Sequence, residues 1–189
     1  MKQELFESSK IANEKIEERH DLEQYFFSQE TAQEMFNIFI RRSLSENKEC
    51  CFLCCPVLAE IAEKEGFEKN TTLLNIDERF NKLKSYRKFD ISADKIDTEL
   101  EKQFDMIICN PPFFGIEPNQ LGKTVESLLK NEGEAYIVFL KRKTEEFYSA
   151  MEKLGFNVEK LKFKLDYKTI KDPINRIALY KLKMKNKDD

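Results

Sequence analysis

The sequence predicts an α/β domain whose central sheet is mostly parallel and ends in an antiparallel pair of strands. Short apolar runs alternate with amphipathic segments through most of the chain, which is typical of parallel strands joined by helices. The last two strand-like segments follow each other across a polar turn, so a hairpin is expected at one edge. At 189 residues, the chain is long enough for one domain with a sizeable core.

The first half of the chain supplies two helices before the first strand. Residues 1–20 form a charged amphipathic pattern, and Ser28 is expected to cap a second helix that extends to Leu44. Residues 50–55 are a short apolar run, as in a central parallel strand. Pro56 then begins a helix that Gly66 ends. A strand at 72–76, a charged segment at 77–88, a short strand at 89–91 and a helix at 93–103 follow.

The second half continues the alternation. Strands are predicted at 106–109 and 135–140, and helices at 121–130 and 143–154, the second helix ending at Gly155. The terminal strands are predicted at 158–165 and 177–182, with a turn near Asp172 and Pro173 between them.

Charge and composition restrict the partners and the location. The formal net charge is -3 with both signs mixed, so nucleic acid would have to be held by a local basic patch. The N-terminus lacks the apolar run of a signal peptide, and no stretch reaches the length of a membrane span. We therefore expect a soluble, cytoplasmic protein with no membrane partner.

The cysteines are expected to be core residues rather than metal ligands. Four of the five lie within residues 50–55, and Cys109 ends a later strand. Cys51 and Cys54 have the spacing of a zinc knuckle, but a structural zinc needs four ligands. The sequence has no second cysteine pair, and its single histidine, His20, is far away. No metal site is predicted.

Unusual residues stand where three of the predicted strands end, which is where such sheets bind ligands. They are Cys55-Pro56, Asp77, and the stretch Asn-Pro-Pro-Phe at 110–113. Prolines stiffen a loop and leave its carbonyls free to accept hydrogen bonds. An asparagine amide both donates and accepts, and a phenylalanine offers a flat face. Together they suit a planar, amino-bearing ring such as adenine; the alternative is a stiff loop whose phenylalanines cap the core.

The Asn-Pro-Pro-Phe motif after an apolar strand resembles the signature of S-adenosylmethionine-dependent methyltransferases that act on N6 of adenine. The stretch at 24–32, Cys55-Pro56, the stretch at 77–80 and Asn175-Arg176-Ile177 resemble one eukaryotic family within that class. The family includes the zinc-finger CCHC ribosomal RNA adenine methyltransferase and the lysine methyltransferase of elongation factor 1-alpha. Residues 74–77 and 113–118 look closer to the RNA enzyme. Residues 28–32, the short length and the missing zinc fingers look closer to the lysine enzyme.

This resemblance implies a Rossmann-like class I methyltransferase fold and S-adenosylmethionine as cofactor. It implies a methyltransferase domain at 24–183, an N-terminal helical extension at 1–23 and a charged tail at 184–189. The turn at 54–57 has no glycine, unlike most such enzymes, which shifts weight onto Asp77 as the ribose-hydroxyl acceptor. Phe80 or Phe89 would flank the cofactor adenine, and Asp90 would accept from its amine. The expected cofactor-binding residues are Gln24, Tyr25, Ser28, Thr31, Cys55, Pro56, Asp77, Phe80, Asp90 and Asn110.

Each cofactor residue that carries a specific role has a structural alternative. Asp77 could cap a helix, Phe80 could be a core residue, and Asp90 could belong to a turn.

The function implied by the resemblance is methyl transfer to the N6 amine of adenine, in RNA. Oxygens of Asn110 and Pro111 would accept the two amine hydrogens, and Phe113 would stack on the base. The expected catalytic residues are Asn110, Pro111, Pro112 and Phe113, and the expected substrate-binding residues are Phe113, Phe114, Lys141 and Arg142.

Two other functions stay open, namely a lysine methyltransferase acting on elongation factor 1-alpha and a catalytically silent relative. An asparagine at 110 favours adenine over lysine as the substrate. A lysine ammonium must first lose a proton, and a carboxylate in place of the asparagine would help that loss. The partner is therefore RNA or a protein of the translation machinery. The chain is expected to be a monomer, with an accessory subunit left open.

Overall fold

A seven-stranded sheet is the centre of the computed structural model, which describes residues 10–11 and 14–185. The strand order across the sheet is β3-β2-β1-β4-β5-β7-β6. In chain order the strands are β1 Cys50–Leu53, β2 Thr71–Asn75, β3 Tyr86–Lys88, β4 Phe104–Cys109, β5 Leu129–Leu140, β6 Phe156–Leu161 and β7 Ile177–Met184.

The predicted fold class is confirmed. Strands β1 to β5 pair in parallel, with β1 between β2 and β4. Strand β7 is antiparallel to both β5 and β6 and lies between them. The terminal pair therefore forms one edge of the sheet, with the last strand inserted inside that edge.

Six α-helices of the described chain precede or join the strands. They are α1 Gln29–Met35, α2 Arg41–Ser45, α3 Pro56–Lys64, α4 Pro118–Leu128, α5 Thr144–Lys153 and α6 Pro173–Arg176. Helices α1, α3, α4 and α5 begin within three residues of the predicted positions, whereas α6 replaces the predicted turn near Asp172 and Pro173. A π-helical segment, Phe36–Ile40, joins α1 to α2. Ser28 caps α1 as predicted, its Oγ accepting from the Thr31 N–H at 3.2 Å. None of the helices in the described chain is long and apolar enough to cross a membrane.

The cysteines lie in and beside the central strands. Cys50, Cys51, Cys55 and Cys109 are buried, Cys54 is half-buried, and all five are free thiols. Burial raises the pKa of the Cys50 and Cys54 thiols to about 12. Across residues 10–11 and 14–185, no three His, Cys, Asp or Glu side chains are grouped so as to hold a metal ion.

Two predictions between β2 and β4 are wrong. Residues 93–103 contain only a short 3₁₀ turn, Thr98–Leu100, instead of a helix. The carboxylates of Asp90 and Asp97 accept hydrogen bonds from backbone N–H groups two residues ahead, which closes local turns that compete with a helix. The strand predicted at 89–91 lies earlier in the chain, at Tyr86–Lys88. Phe89 follows this strand, and its N–H donates to the Asn75 carbonyl at 3.0 Å.

The helix predicted for residues 1–20 lies largely outside the described residues. Where the chain is described, Lys10–Ile11 and Glu14–Lys15 form a short antiparallel pair, and His20–Leu22 is one 3₁₀ turn. The last four residues of the expected charged tail are likewise outside the described part.

Candidate active site

The Asn-Pro-Pro-Phe loop follows β4 at the carboxyl edge of the sheet and separates two cavities. The backbone N–H of Asn110 donates to the Leu53 carbonyl at 3.1 Å, which ties the loop to the end of β1. Pro112 and Gly115 line one cavity, whereas Phe113 and Phe114 line the other. His20 and Tyr25 line the same cavity as Phe113, whereas residues 21–24 line the same cavity as Pro112. The loop and residues 20–25 therefore form a wall between the two cavities.

The first cavity, which we call the acidic cavity, has a volume of about 290 Å³. It carries three carboxylates, and no lysine or arginine is among the described residues that line it. Its lining is Asp21, Leu22, Glu23, Gln24, Cys54, Asn75, Ile76, Phe89, Asp90, Ile91, Ser92, Pro112 and Gly115.

The glycine-free turn after β1 keeps the conformation that glycine would favour. Cys54 has φ +59°, in the left-handed region where side chains other than glycine are uncommon. Its N–H donates to the Leu74 carbonyl at 2.9 Å, which anchors the turn to β2. Because Cys54 lines the acidic cavity in this conformation, the missing glycine does not close the cavity.

Asp77 is buried at the end of β2 and does not line the acidic cavity. Its carboxylate accepts from Arg79 Nη2 at 2.6 Å and from Gln24 Nε2 at 3.2 Å, and Gln24 does line the cavity. Burial acts to raise the pKa of Asp77, but these hydrogen bonds outweigh burial and lower it. Asp77 also accepts from the backbone N–H of Arg79, as expected if it caps the 3₁₀ turn Glu78–Phe80.

The other expected cofactor residues divide between the cavity and the core. Phe89 and Asp90 line the acidic cavity, and Asp90 also accepts from the Ser92 backbone N–H and hydroxyl. Phe80 is instead buried in the core, edge-on to Phe26.

Four further expected cofactor residues act as scaffold and line neither cavity. Cys55 is buried and Pro56 begins α3. Ser28 donates its N–H to the Asp166 carbonyl at 2.9 Å, and Thr31 Oγ1 accepts from the Asp166 N–H at 3.0 Å. The start of α1 is thereby attached to residues 166–168.

The second cavity, which we call the aromatic cavity, has a volume of about 350 Å³. Four rings and two cations line it, and none of the described lining residues is a carboxylate. The lining is His20, Tyr25, Phe113, Phe114, Leu140, Thr169, Ile170, Lys171, Arg176 and Ile177.

The side-chain amide of Asn110 is held on both sides. Its Nδ2 donates to the Tyr25 carbonyl at 2.7 Å, and its Oδ1 accepts from the Tyr167 hydroxyl at 3.1 Å. A backbone carbonyl can only accept, so this pairing identifies which amide atom is nitrogen. These two bonds leave one oxygen lone pair and one N–H of the amide uncommitted. Asn110 and Pro111 are both buried and line neither cavity.

The two phenylalanines of the motif have different environments. Phe113 is 3% exposed and lies edge-on to Tyr167, with ring centroids 6.5 Å apart, so it forms cavity wall rather than an open stacking face. Phe114 is 58% exposed, and the guanidinium of Arg142 lies 5.3 Å from its ring centroid. Lys141 donates to the Ile174 carbonyl.

Several residues that support the wall were not predicted from the sequence, because they are distant along the chain from the residues that they contact. Tyr167 is 57 residues from Asn110. Glu18 is largely buried, and its Oε2 lies 2.8 Å from His20 Nε2 and accepts from the Thr169 hydroxyl at 2.5 Å. His20 stacks on Tyr25 with ring centroids 5.0 Å apart. His20 is the one histidine of the sequence, and this rarity was the signal in the sequence that marked the position.

Comparison with known proteins supports the same class. A curated tRNA1(Val) (adenine(37)-N6)-methyltransferase of Cytophaga hutchinsonii is 28% identical over a stretch covering 36% of this chain and 36% of that protein. The match thus spans about a third of the length of that relative.

Two solved structures share the fold. A branched-chain polyamine synthase of Thermus thermophilus is 14% identical to this chain and superposes with a TM-score of 0.66. The alignment covers 92% of this chain and 61% of the synthase. A ribosomal protein L11 methylase of Lactobacillus delbrueckii is 16% identical to this chain and superposes with a TM-score of 0.59. The alignment covers 97% of this chain and 92% of the methylase.

The model of the family described as "Probable N6-adenine methyltransferase" matches residues 18–181. The chain belongs to this family, which confirms the predicted resemblance to N6-adenine methyltransferases. The match begins before Gln24, at residue 18, and so includes all of the wall segment 20–25.

Proposed function

We propose that this member of the N6-adenine methyltransferase family transfers a methyl group to the N6 amine of an adenine in RNA. The observation that carries the proposal is the lining of the aromatic cavity, which combines rings with Lys171 and Arg176. Aromatic rings stack on bases, and cations attract phosphates. A lysine ammonium would meet two positive charges there and no lining carboxylate among the described residues.

The acidic cavity fits the cofactor. S-adenosylmethionine carries a positive sulfonium, a positive ammonium and a negative carboxylate, so its net charge is positive, and it supplies an electrophilic methyl group when bound. Asp21, Glu23 and Asp90 provide the opposite charge. Phe89 is the candidate to flank the adenine, and Asp77 would act through Gln24, which it holds by a hydrogen bond.

The wall between the cavities supplies the groups that orient the amine. The remaining lone pair of Asn110 Oδ1 and the Pro111 carbonyl accept the two amine hydrogens, which draws the nitrogen lone pair out of conjugation with the ring. With S-adenosylmethionine bound, the nitrogen would gain the methyl carbon and lose one proton to solvent, and the electron pair of the broken carbon–sulfur bond would stay on sulfur. Positioning and fixed dipoles provide the catalysis.

Exposed residues beside the aromatic cavity support contact with the nucleotides next to the target adenine. Phe114 and Arg142 form an exposed ring–guanidinium pair beside the cavity. The name of the curated relative supports RNA as the substrate class. A cytoplasmic location belongs to the same proposal, because five free thiols suit a reducing compartment. The proposal also takes the protein to be a monomer. An accessory subunit would add to the small basic surface.

The test is transfer of label from radiolabelled S-adenosylmethionine into a cell extract by the full chain, with Asn110→Ala as the inactive control. We expect RNase to remove the label and N6-methyladenosine to carry it after digestion to nucleosides. Label removed by protease instead would identify a lysine methyltransferase. Cofactor binding without any label would identify a silent relative.

A further inference from the structure

The side chain of Asn110 is supported from a segment that the motif does not include. We propose that Tyr167 is a positioning residue, whose hydroxyl holds the Asn110 amide in the orientation needed for methyl transfer. This inference rests on the proposed function, in which Asn110 Oδ1 accepts from the substrate amine. Tyr167 is buried and its hydroxyl is bonded to the Asn110 amide, so it would act through Asn110 and not by touching the substrate.

The contact between the two side chains is buried and specific. Tyr167 is 4% exposed and Asn110 is 8% exposed, and the hydroxyl donates to Oδ1 at 3.1 Å. Burial raises the pKa of the Tyr167 phenol well above its usual value, so the hydroxyl keeps its proton and remains a donor. A buried amide oxygen without this donor would lose one of its hydrogen bonds.

Two partners of opposite polarity hold the amide. The Tyr25 carbonyl, which only accepts, fixes the position of Nδ2, and the Tyr167 hydroxyl fixes the position of Oδ1. With both in place the amide cannot rotate about its Cβ–Cγ bond without losing a buried hydrogen bond. The remaining lone pair of Oδ1 therefore has one direction before the substrate arrives, which is the condition for catalysis by preorganisation.

Tyr167 is itself held by the segment that precedes α1. It forms an isolated antiparallel bridge with Phe27, and their ring centroids are 5.0 Å apart. The N–H of Lys168 donates to the Phe26 carbonyl at 3.0 Å, and Ser28 bonds Asp166 on the other side. Residues 25–28 thus have two roles. They supply the Tyr25 carbonyl that accepts from Asn110 Nδ2, and they hold Tyr167, whose hydroxyl donates to Asn110 Oδ1, through the bridge between Phe27 and Tyr167.

The kinetic test compares Tyr167→Phe with a matched control, Tyr180→Phe. Tyr180 is also fully buried, and its hydroxyl lies 2.7 Å from Thr144 Oγ1, a pair outside both cavity walls. We expect Tyr167→Phe to lower kcat on RNA by about 10- to 100-fold, since small misplacements of a catalytic group cost that much. KM for RNA and Kd for S-adenosylmethionine should stay within about twofold. Tyr180→Phe should keep the wild-type kcat.

A second measurement does not depend on activity. In a ¹⁵N-labelled protein, the side-chain amide signals of Asn110 are assigned by their loss in Asn110→Ala. We expect Tyr167→Phe to shift these signals and speed their exchange with solvent, and Tyr180→Phe to leave them unchanged.

The outcomes separate this inference from the proposed function. Wild-type kcat in Tyr167→Phe, equal losses in both variants, or unmoved Asn110 signals would each overturn the positioning role. A wild-type protein that binds cofactor but methylates no adenine would overturn the proposed function, while the amide signals would still decide whether Tyr167 holds Asn110.

Discussion

The two cavities share one wall but have opposite chemistry. The acidic cavity has three lining carboxylates and no lining cation in the described chain, whereas the aromatic cavity has two cations, four rings and no carboxylate there. Successive residues of the same loop point to different sides, with Pro112 facing one cavity and Phe113 the other. A short rigid loop can therefore present two unlike surfaces to two unlike ligands.

The contrast matters because the proposed function requires both ligands to meet at this wall. In that proposal a cationic cofactor is attracted to one side and a polyanion to the other, so each ligand would be disfavoured in the wrong cavity. Asn110 begins the loop that forms this wall, and its amide is held by the Tyr25 carbonyl and the Tyr167 hydroxyl. Variants of the wall and of each cavity should therefore have separable effects.

The largest effect is expected in the wall. Asn110→Ala should lower kcat by about 10²- to 10³-fold, the cost of losing one preorganised group, while affinities for cofactor and RNA stay near wild type. It should also leave the Tyr25 carbonyl and the Tyr167 hydroxyl unpaired, which costs about 1–3 kcal/mol of stability. Single-turnover kinetics and thermal melts measure the two effects. Asn157→Ala, on the exposed face of β6, is the control; wild-type turnover in Asn110→Ala would refute the mechanism.

The next effect concerns stability beside the acidic cavity. The pKa of Asp77 is lower in the folded protein than in the unfolded chain, where it is near 3.9. The ionised carboxylate therefore stabilises the fold at pH values above the unfolded pKa. This stabilisation is lost as the pH falls through the folded pKa. Asp77→Asn should thus cost about 1–3 kcal/mol at pH 7, and the difference from wild type should shrink below about pH 4.

Urea unfolding at several pH values measures this difference. Asp94→Asn, at an exposed carboxylate, should change little. A difference that is absent at pH 7, or that persists unchanged at pH 3, would contradict the assigned role of the Arg79 and Gln24 hydrogen bonds.

A third effect tests the aromatic side alone. Phe114→Ala should weaken RNA binding by about 1–3 kcal/mol, the value of one base stacked on a ring, with cofactor affinity unchanged. Fluorescence anisotropy with a labelled RNA measures it. Ile38→Ala is the matched control, because Ile38 is 57% exposed, like Phe114, but lines neither cavity. Equal RNA affinity in both variants would remove Phe114 from the substrate surface.

The smallest effect tests the acidic side. Glu23 is half-buried, lines the acidic cavity and packs against Gly115. Glu23→Gln should weaken S-adenosylmethionine binding by up to about 1 kcal/mol, the value of a partly exposed ion pair, and leave RNA binding unchanged. Calorimetry measures both, with Glu30→Gln on the exposed face of α1 as the control. A variant that altered RNA affinity instead would break the division between the cavities.

The sequence was informative where the local pattern is strong. The apolar run before Asn110 predicted β4 and the position of its loop at the carboxyl edge of the sheet, because consecutive buried residues identify a parallel strand. Ser28, Gly66 and Gly155 correctly predicted the ends of helices through their capping chemistry. The region 89–103 was predicted wrongly because aspartate side chains there close turns that no periodicity reveals.

By itself, then, the sequence determined the fold class, the motif and the family, since each depends on residues that are neighbours in the chain. Only the tertiary structure decided which side of the wall each residue faces and which groups hold Asn110. Tyr25 and Tyr167 reach that amide from 85 and 57 residues away. Contacts of that kind follow from the packing of the sheet and its connections, which bring distant segments together, and they leave no periodic trace in the sequence.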